Sequence, residues 1–168
     1  MLGENQVSAF NRWSSLGGAE MRAELLRAAE SLTSIPIEHG FEIRSEAFDS
    51  SDPPPYALNL ERNLPTGVTD FIYIGFDKHH RARFQILFGT KETPPPHHWV
   101  RSGVLVCKKE SGLHEHSWWG AKWWHPKKVK VFRDQALEAA KLTPQILEYL
   151  DKGTAGSHIF VELSSKPL

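Results

Sequence analysis

Residues 70 to 88 constrain this chain more than any other stretch. Asp70 to Phe76 (DFIYIGF) is rich in aromatic and β-branched residues. From Arg81 to Phe88, the positions Ala82, Phe84, Ile86 and Phe88 alternate with Arg81, Arg83, Gln85 and Leu87. Alternation with period two gives an extended strand one dry face, whereas a helix would scatter the same residues around its surface. Asp77 to His80 reads as a polar turn, so the two segments are predicted to form an antiparallel hairpin.

The hairpin has neighbours on both sides. Weaker strand signals lie at Tyr56 to Arg62 and Phe41 to Phe48, and Trp99 to Lys108 reads as a further strand with Gly103 as a bulge. Asp49 to Pro55 and Pro94 to Pro96 are loops, because runs of proline cannot join a sheet interior. Upstream, Met21, Leu25, Ala28 or Ala29, and Leu32 recur at helical steps, and Pro36 with Gly40 closes that helix. Downstream, Lys128 to Phe132 reads as one more short strand and Arg133 to Lys141 as a helix. Thr143 and Pro144 then read as the cap and first turn of another helix ending near Gly153, and His158 to Leu163 closes the series as a strand.

These signals predict a single α+β domain over residues 1 to 168. Its antiparallel sheet has about five strands, packed by an N-terminal helix and C-terminal helices, since hairpin spacing rather than alternating βαβ units orders the strands.

Charge narrows the function classes. Twenty basic residues balance twenty acidic ones, which excludes a globally basic coat for nucleic acid. Residues 99 to 133, however, hold eight Lys and Arg against two Glu. A single cysteine, Cys107, leaves no intrachain disulfide and points to a reducing compartment. Met1 to Phe10 has no apolar run behind a positive start, and no stretch approaches the ~20 apolar residues of a membrane span. A soluble cytoplasmic protein with no membrane partner is expected.

Candidate function concentrates in the same basic region. Five of the six tryptophans fall between His97 and Arg133, among them the doublets Trp118-Trp119 and Trp123-Trp124 around Lys122, followed by Lys127, Lys128 and Lys130. Indoles supply apolar area with one donor, and lysines supply a steering rim, a combination that suits an interface with an acidic protein. The expected role is therefore a non-enzymatic binding protein of the immunity or inhibitor type, using Trp118, Trp119, Trp123, Trp124, Lys122, Lys127, Lys128 and Lys130, with no cofactor. The doublets also suit a core, in which case each splits into one ring inside and one ring outside.

Two other readings stand beside this one. Lysines neutralise phosphates while rings stack on bases, which describes single-stranded nucleic-acid binding through the same surface. His114 and His116 would share one face of an extended segment, and a third ligand from His97, His98 or His125 would complete a zinc site for a histidine-dependent metallohydrolase. Against that chemistry, the chain contains no HExxH, no Cys-x-x-Cys and no Gly-x-Ser-x-Gly. Cys107 between Val106 and Lys108 reads as a small apolar residue rather than a nucleophile. Glu42, Glu46, Asp49 and Asp70 supply the raw material for paired-carboxylate catalysis if the fold gathers them.

Overall fold

A computed structural model describes residues 18–44, 57–77, 82–92, 99–107, 117–121 and 127–161. In chain order the elements are α1 (Gly18–Glu38), β1 (Glu42–Arg44), β2 (Ala57–Asn63), β3 (Val68–Phe76), β4 (Arg83–Glu92), β5 (Trp99–Leu105), β6 (Trp119–Gly120), α2 (Lys128–Lys152) and β7 (Ile159–Val161). All strands belong to one antiparallel sheet of seven strands, more than the five expected. Only β6 falls where the sequence carries no strand signal. β6 has only two residues, below the length at which alternation can be read from sequence.

The strand order is β1-β2-β3-β4-β5-β7, with β6 attached to β4. The predicted hairpin is its centre, with Ile72 opposite Phe88 and Ile74 opposite Ile86. Cross-strand partners share a face, so Ile43, Leu60, Ile72 and Phe88 form one apolar row across four strands. Phe88 lies opposite Gly103, whose added Cβ would stand 2.7 Å from the Phe88 ring. Gly103 is thus a regular strand position kept small by an aromatic neighbour. The irregularity in this ladder falls at Thr90 and Lys91 instead.

α1 and α2 pack against each other, and between them they contact β2, β4, β5 and β6. Two expectations for the C-terminal half need correction. Lys128 to Phe132 is helical, not a strand, and the two predicted helices are one helix with Pro144 inside it. The buried stripe Phe132, Ala136, Ala139, Thr143, Ile146 or Leu147, and Leu150 runs through the proline at three- and four-residue steps. Burying both halves on one sheet outweighs the lost backbone bond. Thr143 is no cap, since its hydroxyl donates to Ala139 O at 3.3 Å within the helix. α1 likewise continues past Pro36 to Glu38.

At one end of the covered face, a polar row replaces the apolar one. Arg62, Asp70, Thr90 and Arg101 are successive cross-strand partners on β2 to β5. Asp70, 1% exposed, accepts hydrogen bonds from Arg62 Nη2 at 2.6 Å and Thr90 Oγ1 at 2.7 Å. Arg62 also reaches Asp151 on α2 at 2.7 Å. Arg101 Nη1 donates to Tyr149 O and Leu150 O at 3.2 and 3.1 Å, and Gly153, at φ +75°, donates to the Tyr149 carbonyl as well. The row thus answers the free carbonyls and negative pole at the end of α2 with two guanidinium groups.

Glu42 pairs with Glu61 on the opposite sheet face, so it does not meet Asp70. Glu46 and Asp49 lie outside the described residues. Burial works to raise the pKa of Glu61, but the Lys91 ammonium, with Asn59 and Arg44, outweighs it and holds the carboxyl below its usual 4.5. No helix among the described residues is long and apolar enough to cross a membrane.

Removing one partner of a buried pair leaves the other uncompensated. Asp70→Ala is therefore expected to cost about 3 kcal/mol, the low end for such pairs because Asp151 still holds Arg62. Urea unfolding measures this, and a loss below about 1 kcal/mol would refute the anchoring role. A carboxyl whose folded pKa is depressed contributes stability above its unfolded value and loses it as pH falls through the folded value. Stability is therefore expected to fall on acidification below pH 4.5, and less so in Lys91→Met than in the native chain.

Candidate functional site

The basic and aromatic region meets the sheet at β6. Trp119 lies opposite Phe84 and Gly120 opposite Arg83, so alternation alone divides the first tryptophan doublet between two faces. Trp119 turns inward with Phe84. It is 1% exposed, stacks on the Phe84 ring at 6.4 Å between centroids, and donates from Nε1 to Leu105 O at 2.9 Å. Phe132 of α2 meets the same Phe84 ring edge-on at 5.6 Å. Trp119 is thus a core residue that joins β4, β5 and α2, not a contact for a partner.

Trp118 lies on the outer face and is half-buried. The Arg83 guanidinium stands 4.4 Å from its ring centroid, and Arg83 Nε donates in turn to the carboxylate of Asp77, which is 2% exposed. A neutralised guanidinium held over an indole fixes the ring at little entropic cost. Beside it, Gln85 Nε2 donates to Ser117 Oγ at 2.8 Å, and the Cys107 thiol lies 3.9 Å from Trp118 O. Cys107 is half-buried and packs against the core.

The chain leaves β6 through a position that requires glycine. Gly120 has φ +111°, and an added Cβ would stand 2.2 Å from the Ala82 carbonyl oxygen. That approach lets Ala121 N donate to Ala82 O at 2.8 Å. Gly120 N donates to Gln135 Oε1 at 2.9 Å, tying β6 to the side of α2.

α2 begins with Lys127 as its cap residue and Lys128 and Lys130 in its first turn, all three exposed. Among the described residues no side chain caps the helix, and no acidic residue stands in its first turn. Lys130 forms an ion pair with Asp134, one turn on. Helical geometry of about 100° per residue sets Lys128 on the same stripe as Gln135, hence on the side of β6. Lys130 projects to the other side.

Of the predicted contact residues, the structure places Trp118 half-buried on the outer face, sends Trp119 inside, and leaves Lys127, Lys128 and Lys130 exposed at the start of α2, with Lys130 turned away from Lys128. Lys122, Trp123, Trp124, His114 and His116 lie outside the described residues, as do His97, His98 and His125. Among the described residues, no group of three or more His, Cys, Asp and Glu is placed to hold a metal. Sequence reasoning missed Asp77, which it assigned to a turn, and the bracket that it forms with Arg83. The signal was the polar phase of the alternating strand, Arg83 and Gln85, which marks whatever packs on the outer face. No protein-family model, curated protein or solved structure matches the chain.

Gly120→Ala is expected to destabilise the protein by about 1–3 kcal/mol through backbone strain, with a further loss because the opposing atoms belong to backbone. A change under about 0.5 kcal/mol in urea unfolding would show that β6 is not docked as described.

Proposed function

We propose that this protein binds an acidic protein partner through Trp118, backed by Arg83, and through the exposed lysines of the first turn of α2, as an inhibitor or immunity-type factor in the cytoplasm. The observation that carries the reading is the start of α2. Lysines at the positive pole of a helix are unfavourable by about 0.3–1 kcal/mol each, and here the first turn holds no carboxylate, Asp134 one turn on pairing with Lys130. A partner's carboxylates would relieve lysines and helix pole together.

Trp118 supplies the other half of an interface. Its ring is held before any partner arrives, so binding need not order it. Aromatic anchors beside cationic rims are the usual composition of binding hot spots. The single Cys107 agrees with a reducing compartment. No step of chemistry is required of these residues, and the reading is non-enzymatic and free of cofactor.

The test is capture from the source lysate, followed by titration of the purified captured protein against native chain, Trp118→Ala and Lys128→Glu. An acidic protein is expected, with binding weakened by about 2 kcal/mol or more in Trp118→Ala. Lys128→Glu is expected to weaken binding while raising folding stability by about 0.3–1 kcal/mol, because a carboxylate suits that helix pole. Unchanged affinity in both variants overturns the proposal. Tight binding of oligo(dT) with a steep salt dependence replaces it with the nucleic-acid reading.

A further inference from the structure

The charge of Arg83 is answered from within the protein. Asp77 N donates to Arg83 O at 3.1 Å as the central hairpin closes, which sets the two residues side by side. Arg83 Nε donates to the Asp77 carboxylate, and the two side chains are 28% and 2% exposed. Opposite charges in contact cancel at a distance, and a pair this far from water is screened little by salt. Lys127 and Lys128, by contrast, stand exposed at the start of α2.

The same guanidinium lies over the Trp118 ring, 4.4 Å from its centroid. The backbone around that ring is placed by other contacts. Gln85 Nε2 donates to Ser117 Oγ at 2.8 Å, and Trp119 and Gly120 pair with Phe84 and Arg83 through the sheet ladder. What the paired side chains of Asp77 and Arg83 add is the orientation of one indole.

We propose that Arg83 is a positioning residue and not a cation offered to the partner. Asp77 takes up its charge, Arg83 holds Trp118, and the partner meets that indole with an uncharged group while its carboxylates go to Lys127 and Lys128. The inference rests on the reading of an acidic protein partner and deepens it, by dividing the surface into a neutral part and a charged part. A carboxylate laid against Trp118 would give up its water for an indole and a guanidinium that Asp77 already answers, whereas an apolar or amide group loses less.

The double variant Asp77→Asn with Arg83→Met removes both charges together, so the net charge is kept and no buried carboxylate is left alone. In it, the Trp118 indole N–H signal, assigned by its loss in Trp118→Phe, is expected to show a lower NMR order parameter. The signal of Trp119, which donates to Leu105 O, is expected to stay rigid. The dissociation constant for the captured partner is expected to rise about two- to tenfold, the cost of ordering one side chain on binding, with its salt dependence unchanged. Lys128→Gln is expected to reduce that salt dependence, because it removes an exposed charge. Thermal unfolding verifies that each variant folds. Arg83→Lys, which keeps the charge and loses the planar group, is expected to loosen Trp118 in the same way and carries the comparison if the double variant unfolds.

An ordered Trp118 signal, loosening of Trp119 to the same degree, or an unchanged dissociation constant overturns the proposal. So does a salt dependence that falls as in Lys128→Gln, which would make Arg83 a contact for the partner's carboxylates. A native chain that captures no acidic protein fails the partner reading and with it the division of the surface. The comparison of the two indole signals needs no partner, and it decides the positioning role of Arg83 separately.

Discussion

β4 is ten residues long, and no single neighbour uses the whole of the edge that it turns away from β3. Its middle and end pair with β5, from Leu87 to Lys91, while its start pairs with β6 at Arg83 and Phe84. Backbone groups left unpaired at Arg83 and Phe84 would sit beside a buried ring, where an unsatisfied group costs about 1–3 kcal/mol. β6 satisfies them, and much follows from that. Pairing with Phe84 sends Trp119 into the core and Trp118 out, and Gly120 then has to pass close enough to Ala82 that no side chain fits. Trp119 and Phe132 meet the same Phe84 ring, so the register of two short β6 residues also sets where α2 lies.

The two ends of α2 are treated in opposite ways. Its carbonyl end has Gly153 in the left-handed conformation, Arg101 on the last carbonyls and Lys152 in the last turn, all favourable to a negative pole. Its amide end has lysines and no cap. The first arrangement is what stability asks for, and the second is not. Such departures from local consistency mark places where something other than folding is served. Arg62 and Asp70 illustrate the contrast: a charge pair taken out of water, yet supplied with Thr90 and Asp151 until its oxygens and guanidinium nitrogens are engaged.

The central hairpin was legible because alternation over eight or nine positions leaves no other periodicity, and the apolar positions named from it are those that β4 buries. Boundaries at prolines were not. Pro36 and Pro144 each read as a helix limit, but a local penalty of about 3 kcal/mol is smaller than the burial of several side chains on either side. Lys128 to Phe132 misled for a related reason. Its alternating lysines and apolar residues fit a strand, and only Phe132, with Ala136 and Ala139 beyond it, reveals the helical stripe that Val129 and Val131 flank. At the candidate site, the division of Trp118 from Trp119 was readable as an alternative, whereas the choice of which ring goes inside depends on a register with Phe84 that no local pattern encodes. Asp77 was unreadable as a bracket for Arg83, since the two are brought together by the hairpin's own pairing.

Helix geometry divides the side chains at the start of α2 between two directions. From Lys127 to Leu137 the axis advances about 15 Å, and within that length Lys128 faces β6 while Lys130, Arg133 and Leu137 face α1. An ordinary protein interface covers about 800 Å2 on each side, wide enough to straddle a helix of roughly 10 Å diameter. A helix that departs from dipole-favoured charge at this end and follows it at the other is consistent with recognition confined to its first half.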